Sequence, residues 1–186
     1  MGLPLQRVAA VTGRTSDARR RIEDAVAQSS PALLVYFARR VQPSHQAADL
    51  LAETLLILWK RAASLPARDE EIRPWMFGIA HNVLLHHQRA TGRQRALADR
   101  LRSMLDVTSQ PGFAGDAVFD ELHAALATLD QLDRDIIGLV HWDGFTLAET
   151  SRILGLKEGT VRSRYHRARG TLRSRLTTTH IPLETN

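Results

Sequence analysis

Six arginines fall within fourteen residues near the C-terminal end of the chain: Arg162, Arg164, Arg167, Arg169, Arg173 and Arg175. A guanidinium stays charged at any physiological pH, and its planar fork donates paired hydrogen bonds to a phosphate or a guanine edge. Such a density of arginine suits nucleic-acid chemistry. Thr160, Ser163 and His166 stand beside the first of them, with polar groups of a size that can meet base edges. A second polar set lies far upstream, at Asn82, His86, Arg89 and Arg93. At 100° per residue the four positions fall within about 60° of one another, so a helix would carry them as one stripe. Amide, imidazole and guanidinium groups in line can contact bases and phosphates of a strand being opened.

Other chemistries find less support. His81, His86 and His87 invite a metal site, but His81 and His86 are five apart and point differently, and no carboxylate sits four residues on to complete a ligand set. No metal and no cofactor are expected. There is no cysteine, which removes disulfides, thiolate metal sites and thiol nucleophiles together. No glycine-rich phosphate loop, nucleophile elbow or paired-carboxylate arrangement is present, so the chain is not expected to be an enzyme. Trp75 reads equally as a ring that stacks on a base and as core.

The elements that must position these side chains are legible around the arginines. Thr146 with Glu149 three residues on is a capping box that opens a short helix carrying Leu147, Ala148 and Ile153, and Gly155 ends it. After a brief turn, Val161, Tyr165, Ala168 and Leu172 form the apolar stripe of a second helix. This is a helix-turn-helix. Its second helix enters a major groove N-terminus first, which places Thr160, Arg162, Ser163 and His166 for base edges, with Arg164 and Arg167 beside them and the later arginines on phosphates. A helix-turn-helix alone leaves open whether the protein is a free-standing regulator, dimerising through its N-terminal half, or part of a larger machine.

Upstream, the spacing of apolar residues predicts helices throughout and no sheet. We expect helices over 16–28, over 30–41 with Ser30 as cap and Pro31 at the first helical position, and over 44–64 with Leu51, Leu55, Leu58 and Ala62 on one face. A polar loop over 65–73 precedes a helix with Pro74 in its first turn, buried through Met76, Ile79, Ala80 and Val83, which runs to about Ala96. The stretch SMLDVTSQPGFAG reads as a linker. Beyond it, Asp116 caps a helix carrying Phe119, Leu122, Leu126 and Leu129, and Asp130 caps one carrying Ile136, Ile137 and Val140. The expected fold is all-α, two small helical domains: 1–15 loosely ordered, 16–100 the first domain, 101–115 the linker, 116–178 the second domain, 179–186 a tail. A length of 186 residues with 44% hydrophobic and 24% charged residues accommodates this. The longest apolar run, Ala32 to Ala38, is seven residues, far short of the roughly 20 that span a bilayer, so no membrane insertion and a cytoplasmic location are expected.

Charge is zoned. Residues 1–98 carry a net +6, residues 99–150 a net −7 and residues 151–186 a net +6. Two basic blocks flanking an acidic middle suit two nucleic-acid contacts, though three ordinary solvated surfaces would show the same balance.

The segment from Leu122 to Leu176, with DGFTLAETSRILGL followed by KEGTVRSRYHRAR, resembles region 4 of bacterial RNA polymerase sigma factors of the extracytoplasmic-function (ECF) group. DLLAETLLILW, Asp49 to Trp59, and IRPWMFGIAHNVLLHHQR, Ile72 to Arg89, are similar to region 2 of the same family. The resemblance implies an alternative sigma factor that binds core RNA polymerase and promoter DNA, assists melting, and pairs with an anti-sigma factor. It implies polymerase contacts at Asp49, Leu50, Glu53, Thr54 and Trp59. It further implies minus-10 contacts at Trp75, Asn82, His86, Arg89 and Arg93, and minus-35 contacts at Thr160, Arg162, Ser163, Arg164, His166 and Arg167. Four positions depart from the family pattern: Ala52 replaces the usual Gln, His86 an acidic residue, Asp130 a Pro and Ser151 an Ala. Asp106 and Asp116 read either as nucleic-acid mimics inside polymerase or as part of a solvated tether, and Trp142 as core or as a polymerase-facing anchor.

Overall fold

The computed structural model describes residues 5–105, 122 and 124–178, with side chains at 17, 19–94, 122 and 124–176. The expected linker beyond Leu105, the anions Asp106 and Asp116, Phe119 and the tail 179–186 lie outside the described residues. All regular structure among the described residues is helical. The helices are α1 (Leu5–Ala38), α2 (Gln46–Lys60), α3 (Asp69–Leu105), α4 (Gln131–His141), α5 (Leu147–Leu154) and α6 (Glu158–Thr178), with a 3-10 turn at Ala62–Ser64. They form two compact units, the chain passing from one to the other at Gly92–Arg93.

In the first unit the expected break before Pro31 does not occur, and neither does the expected irregular start: α1 is one helix from Leu5 with Pro31 inside it. Proline removes one backbone hydrogen bond and costs an interior helix about 3 kcal/mol. Packing overrides that cost, because Ile22, Ser29, Leu33, Tyr36 and Phe37 are all buried and stay on one stripe through the proline. Ser30 Oγ donates to Val26 O at 2.6 Å, just before the gap in the ladder.

The helix α2 packs on α1. Its buried line is Ala47, Leu50, Thr54 and Leu58, not the Leu51, Leu55, Leu58 and Ala62 expected, and it ends at Lys60. Thr54 can occupy the core because its Oγ1 donates to Leu50 O at 2.7 Å, so no polar atom is left unpaired. The expected 65–73 loop shrinks to 65–68, since α3 starts at Asp69. Asp69, Glu70 and Glu71 fill its first turn, where carboxylates meet the positive end of the helix dipole, and Pro74 lies just beyond. Met76, Ile79, Ala80 and Val83 are buried as expected, together with Ile72, Phe77 and Leu84. The helix continues through Gly92 to Leu105, five residues into the stretch expected as a linker.

In the second unit, Leu126, Leu129, Ile137 and Ala168 form a core on which Leu122, Tyr165 and Leu172 pack. Residues 124–127 are helical. Arg134 closes that turn by donating to the carbonyls of Ala127 and Leu129. The side chain of Asp130 caps α4 by accepting from Asp133 N at 2.8 Å. The capping box forms in full: Thr146 N donates to Glu149 Oε2 at 2.8 Å, and Glu149 N donates to Thr146 Oγ1 at 3.2 Å. Gly155 follows α5 at φ 65°, a conformation that L side chains rarely adopt, and so turns the chain into α6.

Candidate nucleic-acid and polymerase interfaces

On α6, Val161 and Ala168 are fully buried against the core, which fixes the helix's rotation and turns the opposite face outward. Thr160, Arg162, Ser163, His166 and Arg167 are all exposed there. Several already have local partners. Ser163 Oγ donates to Thr160 O at 3.0 Å, the Tyr165 and His166 rings meet edge to face, and Arg162 pairs with Glu158 one turn back. Arg164 behaves differently. It is half-buried and turned toward α4, where its Nη1 donates to Asp130 Oδ2 at 2.9 Å and Asp133 Oδ1 at 2.6 Å. These bonds raise the Arg164 pKa above the ordinary arginine value. The Asp133 amide first and the Arg164 guanidinium next hold the Asp130 carboxyl below the usual carboxylate range.

The stripe on α3 is present as the spacing requires: Asn82, His86, Arg89 and Arg93 are exposed on one helix, and Trp75, seven residues before Asn82, is half-buried on the same line. Asn82 Nδ2 donates to Gly78 O at 2.9 Å. His81 does not join these groups. It is buried, with Nδ1 3.4 Å from Tyr36 Oη, and burial together with the charge of Arg40 lowers its pKa to about 4. His87 Nε2 lies 3.2 Å from Gln46 Oε1. Among the described residues no cluster of His, Asp and Glu could hold a metal ion. Arg21 of α1 reaches the loop before α3 and donates to Pro66 O at 3.0 Å and Ala67 O at 3.1 Å.

The outer surface of α2 corrects part of the expected polymerase set. Leu50 and Thr54 are 4% and 0% exposed, inside the core, because they continue the line of Ala47 and Leu58. Asp49, Glu53 and Trp59 remain outside, and Leu56, 61% exposed, joins them. Sequence alone passed over Leu56 because it is one apolar residue in a run of five. Trp59 lies under the Arg19 guanidinium, 5.8 Å from the ring centroid, and Trp142 is also exposed.

A helix-turn-helix with an arginine-rich second helix, on one chain with a helical unit bearing a polar, basic stripe, places the protein among DNA-binding transcription proteins. Comparison with known families narrows this. Residues 18–94 match sigma-70 region 2, and residues 119–172 match sigma-70 region 4. The chain is 30% identical over 147 residues to the ECF RNA polymerase sigma factor SigL of Mycobacterium tuberculosis, covering 74% of this chain and 78% of the relative. It is also 30% identical over 157 residues to the ECF sigma factor EcfG of Rhodopseudomonas palustris, covering 81% and 82%. Among solved structures it resembles the sigma factor RpoE of Bartonella quintana, seen in complex with the anti-sigma factor NepR. That match has a TM-score of 0.63 and 25% identity, and covers 83% of this chain and 96% of the other. The chain belongs to the ECF RNA polymerase sigma factors.

No helix among the described residues is long and apolar enough to cross a membrane.

Proposed function

We propose that this sigma factor divides its work among three surfaces. The outer face of α2, with Asp49, Glu53, Leu56 and Trp59, grips core RNA polymerase through an apolar centre and an acidic edge suited to basic groups on the enzyme. The α3 stripe, Asn82, His86, Arg89 and Arg93 with Trp75 at its head, follows the minus-10 strand as it opens, and the Arg21-braced loop 65–68 cradles an unstacked base. The exposed front of α6, Thr160, Arg162, Ser163, His166 and Arg167, reads the minus-35 element. Region 2 spans about 16–100 and region 4 about 116–178.

The observation that carries this reading is the outward array on α6, held in rotation by Val161 and Ala168. Family membership adds polymerase as the partner that does the chemistry, so the chain itself catalyses nothing and works in the cytoplasm. An anti-sigma factor is a further partner, as for the Bartonella relative.

Run-off transcription with purified core polymerase over a pool of promoter fragments, with and without the chain, tests the proposal. Discrete transcripts that depend on the chain are expected. DNA binding without any chain-dependent transcript would favour a free-standing regulator.

A further inference from the structure

Arg164 stands in the middle of the arginine-rich helix, yet its guanidinium faces its own fold. At 100° per residue it lies within about 60° of the buried Val161 and Ala168, whereas Ser163 and His166 lie about 140° or more from both. From there its Nη1 reaches across to the first turn of α4 and meets Asp130 and Asp133, 34 and 31 residues earlier in the chain. We propose that Arg164 is a positioning residue, not a DNA contact: Asp130 and Asp133 clamp it, fixing the N-terminal half of α6 on α4 and so the register in which Arg162, Ser163 and His166 meet base edges. This rests on the assignment of α6 to the minus-35 element.

Charge keeps the clamp closed. Two carboxylates face one guanidinium, and the side chain of Asp133 is only 10% exposed. Moving Arg164 to a phosphate would leave Asp133 almost buried and without its cation, a situation more costly than never forming the pair. Asp130 has two roles on two atoms. Its Oδ1 accepts the Asp133 amide as the helix cap, while Oδ2 accepts from Arg164. A proline, which the family resemblance implies as the usual residue at this position, has no carboxylate and could not make this half of the clamp. The clamp also withholds a cation from the backbone attraction that ignores sequence, which raises the share of affinity that depends on bases.

The test uses holoenzyme reconstituted from core polymerase and full-length chain, bound to promoter fragments with an intact or a scrambled minus-35 element over a salt series. Arg164→Ala should cut the preference for the intact element several-fold while leaving the slope of log affinity against log salt unchanged. Arg169→Ala, one of the exposed later arginines assigned to phosphates, is the control and should flatten that slope by about 0.9. Asp130→Asn keeps the cap, since Asn caps as well as Asp, but weakens the clamp; it should lose part of the preference and keep or steepen the slope. Arg164→Lys should restore part of what Arg164→Ala loses. A slope flattened by about 0.9 in Arg164→Ala, with preference intact, would make Arg164 a phosphate contact and overturn the proposal. If Arg164→Ala does not fold, Asp130→Asn decides, and unchanged preference in that variant overturns it. A wild-type holoenzyme indifferent to the minus-35 sequence would instead remove the assignment of α6, and the clamp's role with it.

Discussion

Replacing His81 with leucine should remove about 2 kcal/mol from the stability that the N-terminal unit loses between pH 7 and pH 5. The imidazole is 6% exposed between α1 and α3, beside Tyr36 and under the field of Arg40, and its pKa falls from 6.5 to about 4. Above pH 6.5 it is neutral in both folded and unfolded chains and contributes no pH dependence. Between pH 6.5 and 4 the unfolded chain binds a proton that the fold refuses, so stability falls by up to about 1.4 kcal/mol per pH unit and levels off below 4. From pH 7 to pH 5 the loss is about 2 kcal/mol, a large share of the 5–15 kcal/mol typical of a whole domain. Urea unfolding at the two pH values measures it. Trp59 and Trp75 lie in the N-terminal unit and Trp142 in the other, so a Trp142→Phe background lets fluorescence follow the N-terminal unit alone. Differencing wild type against His81→Leu cancels the remaining histidines. An equal loss between pH 7 and 5 in both proteins would refute the assignment of the acid sensitivity to this buried ring.

Glu149→Ala removes the return bond of the capping box and should cost region 4 about 1 kcal/mol, read as a lowered thermal midpoint for that unit. The double substitution Asp49→Lys and Glu53→Lys, and separately Leu56→Asp, should weaken association with core polymerase in a fluorescence titration while thermal stability stays nearly constant, since all three side chains are exposed. Arg162→Ala should relax preference at one or two minus-35 positions and cost about 1–3 kcal/mol on the preferred sequence, as measured by competition binding. Asn82→Ala should reduce permanganate reactivity of minus-10 thymines more than it reduces closed-complex affinity, and His86→Asp should shift which minus-10 bases are preferred. Equal thymine reactivity in wild type and both variants would move that stripe away from the DNA.

Features fixed by short-range chemistry were legible in the sequence, and those fixed by distant partners were not. The capping box at Thr146 and Glu149, the glycine turn at Gly155 and the Val161 to Leu172 stripe each depend on residues within one or two turns, and all appear as read. Pro31 misled because its local preference for a helix start yields to a buried stripe extending on both sides of it. In α2, the run LLILW is apolar on every side, so periodicity could not fix which edge faces inward. Thr54 added to the ambiguity by hiding its hydroxyl in its own helix. Arg164 counted as one more outward cation because its carboxylates lie more than thirty residues away. The Arg21 braces on Pro66 and Ala67 were invisible for the same reason, as backbone acceptors carry no sequence signature.

The groups on the front of α6 that are assigned to base edges form their bonds within that helix: Ser163 to Thr160, Arg162 to Glu158, His166 against Tyr165. The burden of folding rests instead on Val161, Ala168 and the Arg164 clamp. Positions 160, 162, 163, 166 and 167 can therefore be randomised together as a library without touching the scaffold. Sigma variants selected from such a library would recognise new promoters while keeping the same polymerase, which makes this helix a ready starting point for orthogonal transcription circuits.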